Sequence, residues 1–178
     1  MADAPTGSGP AAQAPVPGSP GAAARGDPDP VFRPARADDL PEIVAMLADD
    51  PLGAGREDAG VPLDPRYATA FAAIAADPNQ LLVVADRGGA VIGCLQITVV
   101  PGLSHRGMRR GQIESVRVAR AERGAGLGAR MIEFAVAECR ARGCGVVQLA
   151  TSKSRLDAQR FYARLGFVAS HEGMKLPL

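Results

Sequence analysis

Apolar residues recur in two rhythms along this chain, and both begin at Val31. Val31-Phe-Arg33 reads as a short strand closed by Pro34. Asp39-Leu-Pro-Glu42 has the form of a capping box opening a helix, with Leu40, Ile43, Val44 and Leu47 on one face. Gly, Pro and charged residues make Asp50 to Pro62 a loop. Asp64-Pro65 then starts a second helix through Ala76, striped by Tyr67, Phe71 and Ile74. Leu81 to Val84 is a buried-type strand, and Arg87-Gly-Gly-Ala90 turns it into a longer one, Val91 to Val100. Pro101-Gly102 breaks that strand. A basic loop, Ser104 to Gly111, leads to a strand from Gln112 to Val118.

Helical spacing returns from Leu127 to about Arg142, with Ile132, Phe134, Ala135, Val136 and Cys139 as the repeat and Gly143 as the stop. Val146 to Ala150 is a strand, Leu156 to Leu165 a helix ended by Gly166, and Phe167 to Lys175 a final pair of short strands. The order β-α-α-β-β-β-α-β-α-β predicts an α/β (α+β) fold: one mixed sheet with helices on both faces. Residues 1–30 are different. Ala, Pro and Gly fill 20 of those positions, and Val16 is the only sizeable aliphatic residue after Met1. Such a segment cannot offset its ordering entropy by burial, so the expectation is a disordered tail followed by one domain over 31–178.

Composition narrows the function. A chain of 178 residues that is 47% hydrophobic suffices for one ordinary core. The net charge is +1, whereas a nucleic-acid binder usually carries a basic excess, so no nucleic-acid partner is expected. No apolar run reaches the ~18 residues of a membrane span, and the N-terminus has no apolar signal region, so no membrane partner is expected either. Cys94, Cys139 and Cys144 are odd in number and lack metal-like spacing. They read as reduced thiols of a cytoplasmic protein with no metal.

Chemistry concentrates in Arg120-Ala-Glu-Arg-Gly-Ala-Gly-Leu-Gly-Ala-Arg-Met131. Gly124-Ala-Gly126-Leu-Gly128-Ala129 satisfies the dinucleotide fingerprint G-x-G-x-x-A, but two context tests fail. The strand ends near Val118, well before Gly124, and the next strand ends in hydroxyls and a lysine (Thr151, Ser152, Lys153) rather than a ribose-binding acid. Including the arginine gives R-x-x-G-x-G. Backbone N–H groups of a small-residue loop at a helix N-terminus form a concave donor set that suits a pyrophosphate, with Arg123 adding charge or bracing the loop.

Arg123-Gly-Ala-Gly126-Leu-Gly128 between a strand and a helix resembles motif A of the GCN5-related N-acetyltransferases, which bind acetyl-coenzyme A. A second segment agrees: Ala158-Gln-Arg-Phe161-Tyr162-Ala-Arg-Leu-Gly166-Phe167 is similar to the family's later A-x-x-F-Y-x-x-x-G-F motif. The resemblance covers residues 31–178. It implies a mostly antiparallel, twisted sheet splayed between its fourth and fifth strands, with acetyl-CoA as cosubstrate lying in the gap. The pantetheine arm is then expected along Val116, Arg117 and Val118, with the Val116 N–H polarising the thioester carbonyl. The pyrophosphate is expected on Arg123, Gly124, Ala125, Gly126, Leu127, Gly128 and Ala129, with Thr151, Arg155 and Phe161 also facing the cofactor. Arg155 stands where many relatives carry asparagine, so that role does not transfer. The family commonly forms homodimers.

By the same resemblance Tyr162 stands where the family's general acid stands, close to the cofactor sulfur; packing beside Phe161 is its alternative. Strand alternation puts Glu114, Val116 and Val118 on one face, so a carboxylate points the way of residues that should be core or cofactor-facing. That charge needs a partner or a wet cleft. Glu114 therefore reads as a direct or water-relayed base, or as a structural ion pair. No Ser-His-Asp or Cys-His arrangement stands out, which favours direct attack by the amine. His105-Arg-Gly-Met-Arg-Arg110 is either a solvated tip or, through Arg109, a binder of an acidic acceptor. Relatives shape the acceptor site in the Leu52–Val61 loop, which makes Arg56 and Glu57 candidates. The expected activity is transfer of acetyl to a small-molecule primary amine. Acetylation of protein N-termini or lysines is the alternative within the enzyme class, and a non-catalytic acyl-CoA-binding module the alternative outside it.

Overall fold

A computed structural model describes residues 28–50 and 55–177. The expected disordered tail over 1–30 therefore lies outside the described residues, save for its last three. In chain order the elements are β1 (Val31–Pro34), α1 (Leu40–Ala48), α2 (Pro65–Ala76), β2 (Gln80–Arg87), β3 (Ala90–Val100), α3 (Ser104–Gly107), β4 (Arg109–Val118), α4 (Leu127–Ala141), β5 (Cys144–Leu149) and α5 (Leu156–Arg164). The strands form one sheet in the order β1-β2-β3-β4-β5. The first four are antiparallel, and β5 joins β4 in parallel through the α4 crossover, as a parallel pair requires.

Two apolar clusters sandwich the sheet. Leu95, Ile97 and Ile113 point from one face into α4, meeting Leu127, Met131, Ile132, Ala135 and Cys139. Val84 and Cys94 point from the other face toward Ile43 and Met46 of α1. Apolar residues at helical spacing in α4 thus find apolar residues at strand spacing in β3 and β4, the match that binary patterning demands.

Several expectations are corrected. No strand forms among residues 167–177; Val168, Met174 and Leu176 stay 82%, 96% and 84% exposed, so no burial offsets the ordering of a hairpin, and His171 lies in irregular chain. Asp39 makes no side-chain cap for α1 and instead closes a capping box with Arg36 in the 3₁₀ turn before it. Its carboxylate is buried and accepts from Arg33 Nη1 at 2.7 Å, Arg33 Nη2 at 2.9 Å and the Arg36 N–H at 2.6 Å. These contacts hold its pKa below the ordinary 3.8, the Arg33 hydrogen bonds being the largest cause. The basic loop contains a single turn, α3, wound left-handed at His105 and Arg106 (φ 50° and 59°).

Candidate active site

The β4–β5 ladder stops at Ile113 and Leu149, yet β4 continues to Val118. Residues 114–118 therefore lack a strand neighbour on their β5 side, and this is the gap expected from the sequence. A bulge lies in the same stretch. Cys94 pairs with Arg117 and Gln96 with Glu114, so Ser115 and Val116 together oppose Leu95, with Ser115 at φ 53°.

The bulge corrects the reading of β4. One extra residue shifts the period-two alternation, so Val116 and Val118 pack with Ile113 against the α4 cluster. Glu114 pairs with Gln96 on the other face, the face of α1, and does not share a side with the two valines. Its surroundings are polar. Gln80, Thr98, Gln112 and Gln148 lie in register across four strands. Gln80 Oε1 accepts from Thr98 Oγ1 at 2.7 Å and Gln96 Nε2 at 2.9 Å, and Gln148 Nε2 donates to Gln112 Oε1 at 2.8 Å. Glu114 is exposed beside this row and makes no ion pair among the described residues. Desolvation is therefore not a cost that an ion pair must offset here.

Beyond Val118 the chain makes a single 3₁₀ turn, Arg120–Glu122, and enters the glycine run. Gly124 and Gly126 adopt φ 87° and 84°, a left-handed backbone that other residues enter at a cost, and a Cβ at either would meet nothing within 4 Å. The N–H groups of residues 124–128 donate to nothing among the described residues; the helical ladder begins with Ala129 N–H on the Gly126 carbonyl at 3.1 Å. An open row of N–H donors at the N-terminus of α4 fits an anionic group. Leu127 is core, 3% exposed, and anchors the row. Gly128 lies against Phe161, whose ring is 3.5 Å from where a Cβ would be. Arg123 braces the loop: its Nε donates to the Val118 carbonyl at 3.0 Å and its Nη2 to Asp49 Oδ2 at 2.8 Å.

Tyr162 projects from α5 into a half-buried aromatic group, with Phe161 and Phe167 edge-on at centroid distances of 5.1 and 5.9 Å. Burial pushes its phenol above the ordinary 10.0, and the positive charges of Arg155 and Arg117 pull the other way. A neutral phenol in this setting keeps its proton to high pH, as a proton donor must.

Asp49 and Asp50, which the sequence reading missed, tie these pieces together. Asp49 Oδ1 lies 3.0 Å from Arg120 Nη2, while its Oδ2 takes Arg123. Asp50 Oδ2 lies 3.0 Å from Arg155 Nη1 and 3.3 Å from Arg117 Nη2. Arg117 thus contributes a guanidinium as well as backbone; its Nη1 donates to the Val116 carbonyl at 2.9 Å, and its Nε is buried without a partner among the described residues.

The remaining candidates are scattered. Arg56 pairs with Glu57 at 3.5 Å, and Glu57 Oε2 accepts from the Tyr67 hydroxyl at 3.1 Å, so the described part of the α1–α2 loop is tethered to α2. Thr151 follows β5, half-buried. Arg109 begins β4 at the end away from the gap, its Nη1 on the Arg142 carbonyl at 3.4 Å, and is not brought to the other residues. No group of three or more His, Cys, Asp or Glu able to hold a metal occurs among the described residues. No helix among them is long and apolar enough to cross a membrane.

A β4–β5 pair that parts after Ile113 and Leu149, an open N–H row behind R-x-x-G-x-G and a tyrosine on the helix after β5 thus lie together on one mixed sheet. The chain belongs to the acetyltransferase (GNAT) family, whose family model matches residues 41–167. It is 35% identical over 101 residues to an aminoalkylphosphonate N-acetyltransferase of Salmonella typhimurium, covering 57% of this chain and 65% of that protein. It is 36% identical over 90 residues to a glucosamine 6-phosphate N-acetyltransferase of Trypanosoma brucei brucei, covering 51% of this chain and 59% of that one. The chain thus spans less than two thirds of each of these curated relatives. Among solved structures, a transcriptional regulator from Bacillus halodurans superposes with a TM-score of 0.82 at 44% identity, over 84% of this chain and 99% of that one.

Proposed function

We propose that this chain is an acetyl-CoA-dependent N-acetyltransferase that acylates the primary amine of a small molecule by direct attack on the thioester. The observation that carries the reading is a coincidence in space: the open N–H row at residues 124–128 continues the unpaired edge of β4, and Tyr162 lies on the helix that follows β5. The row and Arg123 suit a pyrophosphate, and the free edge at residues 114–118 suits an extended amide-bearing arm added as a strand.

The transfer has two proton problems. A primary alkylamine is mostly protonated near pH 7 and must lose a proton before its lone pair attacks. Glu114, exposed in a polar setting at the root of the gap, accepts that proton directly or through water. The amine nitrogen then bonds to the carbonyl carbon, the C–S bond breaks, and the departing sulfur takes the proton of Tyr162; the second proton of the amine, lost as the amide forms, passes through water to the phenolate and restores it. The Val116 N–H, at the bulge, polarises the carbonyl. The acceptor class is an amine with an anionic phosphate or phosphonate at its far end, a reading supported by the two curated relatives and by the arginines around the gap.

A second reading is that this chain binds acyl-CoA without turnover; its likeness to a protein described as a transcriptional regulator favours a binding role. Mass spectrometry of reactions holding acetyl-CoA and aminoalkylphosphonates, hexosamine phosphates, polyamines or peptides separates the two. An N-acetylated phosphonate or sugar phosphate is the expected product. Acetylated peptides alone contradict the small-molecule reading, and tight acetyl-CoA binding without any product contradicts the enzyme.

A further inference from the structure

Asp50 is the most deeply buried carboxylate near the gap, with its side chain 5% exposed, and it meets two arginines from different walls. Arg117 comes from β4. Arg155 comes from the N-terminal cap of α5, the helix that carries Tyr162. The β-ladder has already ended at Ile113 and Leu149, so hydrogen bonds between strands no longer fix the distance between these walls. A carboxylate bridge spans them instead.

We propose that Asp50 is a positioning residue whose carboxylate locks Arg117 and Arg155 together across the mouth of the gap, setting both the separation of the walls and the charge at the Tyr162 hydroxyl. Two guanidiniums held close repel one another, and a carboxylate shared between them removes that repulsion. It also leaves the cluster with one net positive charge in place of two. The groups around Tyr162 leave the control to this cluster: Phe161 and Phe167 do not titrate, and Arg155 and Arg117 are the charges that act on the phenol. With Asp50 in place the phenol keeps its proton until the thiolate departs. Without it, two unbalanced guanidiniums draw that proton off at lower pH. The role in catalysis rests on the reading of Tyr162 given above; the electrostatic linkage does not.

The linkage is measurable without substrate or cofactor. The chain has two tyrosines, so a Tyr67→Phe background leaves Tyr162 as the sole phenol. Its ionisation is followed by ultraviolet phenolate absorbance, with far-UV circular dichroism at each pH to certify the fold. Asp50→Asn is expected to lower the midpoint by about half a unit or more, because an unbalanced neighbouring cation favours the phenolate. Asp50→Glu returns it toward the background value, and Arg155→Asn raises it. A role in packing alone gives no such charge-ordered series. An unchanged or raised midpoint in folded Asp50→Asn overturns the proposal. Should Asp50→Asn fail to fold, Arg155→Asn carries the test, and a midpoint that does not rise overturns it. None of these outcomes depends on acetyl transfer, so the linkage and the enzymatic reading stand or fall separately.

Discussion

Arg123 Nη2 lies 2.8 Å from Asp49 Oδ2, fastening the loop before α4 to the end of α1. The two residues are 74 positions apart, and the arginine also holds the Val118 carbonyl. Arg123 therefore shapes the N–H row before any anion arrives. Arg123→Ala should weaken acetyl-CoA binding by about tenfold or more in calorimetry, since charge-assisted contacts to phosphate are strong. Stability should fall by no more than about 1 kcal/mol, because Arg123 is exposed and Asp49 partly so. Unchanged affinity contradicts the role given to the loop.

Tyr162→Phe removes one oxygen and leaves the aromatic group with Phe161 and Phe167 intact. The expected result is a loss in kcat of about 10²–10⁴ with acetyl-CoA affinity nearly unchanged. The pH dependence has a definite sign. An acid works while protonated, and burial raises this phenol above its ordinary 10.0, so the alkaline decline of the wild-type rate should lie above the ordinary tyrosine range. A decline at neutral pH that persists in Tyr162→Phe assigns the proton elsewhere.

Glu114→Gln tests the other proton. A base takes the proton of the amine, and glutamine cannot, so kcat/KM for the acceptor should fall by about 10²–10⁴ while acetyl-CoA binding stays intact. A kcat/KM equal to that of the wild type removes Glu114 as the base.

Gly111 on β4 meets the C-terminal half of α4 at close range. A Cβ there would sit 2.4 Å from Cys139 Sγ and 3.0 Å from Cys139 Cβ. Gly111→Ala should therefore destabilise by about 1–3 kcal/mol in denaturant unfolding, as overpacking does. Adding Cys139→Ala should recover part of the loss, because it removes the sulfur that clashes. Full stability in the single variant contradicts this packing.

Legibility in the sequence followed the range of each interaction. The α4 stripe, the Asp64-Pro65 start of α2 and the Gly-Gly hairpin before β3 are local patterns, and each forms where its residues predict. R-x-x-G-x-G and the Phe161-Tyr162 segment are local as well, so the glycine turn ahead of α4 and the aromatic pair on α5 were readable. The bulge at Ser115 was not, because no glycine marks the left-handed residue, and with it the face of Glu114 was misassigned. Asp49 and Asp50 were hidden for another reason. Their arginine partners lie 67 to 105 residues downstream, at a distance where no spacing rule operates. Of the strands expected over 167–175, only Phe167 finds an aromatic partner, Tyr162, while Val168 and Met174 stay exposed.

The most direct measurement of the central claim is thiol release from acetyl-CoA, recorded with and without an aminoalkylphosphonate or hexosamine phosphate and repeated with Tyr162→Phe. Release that depends on the amine, yields one N-acetylated product per thiol and falls at least tenfold in the variant is the predicted result. Acetyl-CoA bound tightly, with no amine-dependent thiol from any member of the series, would contradict it.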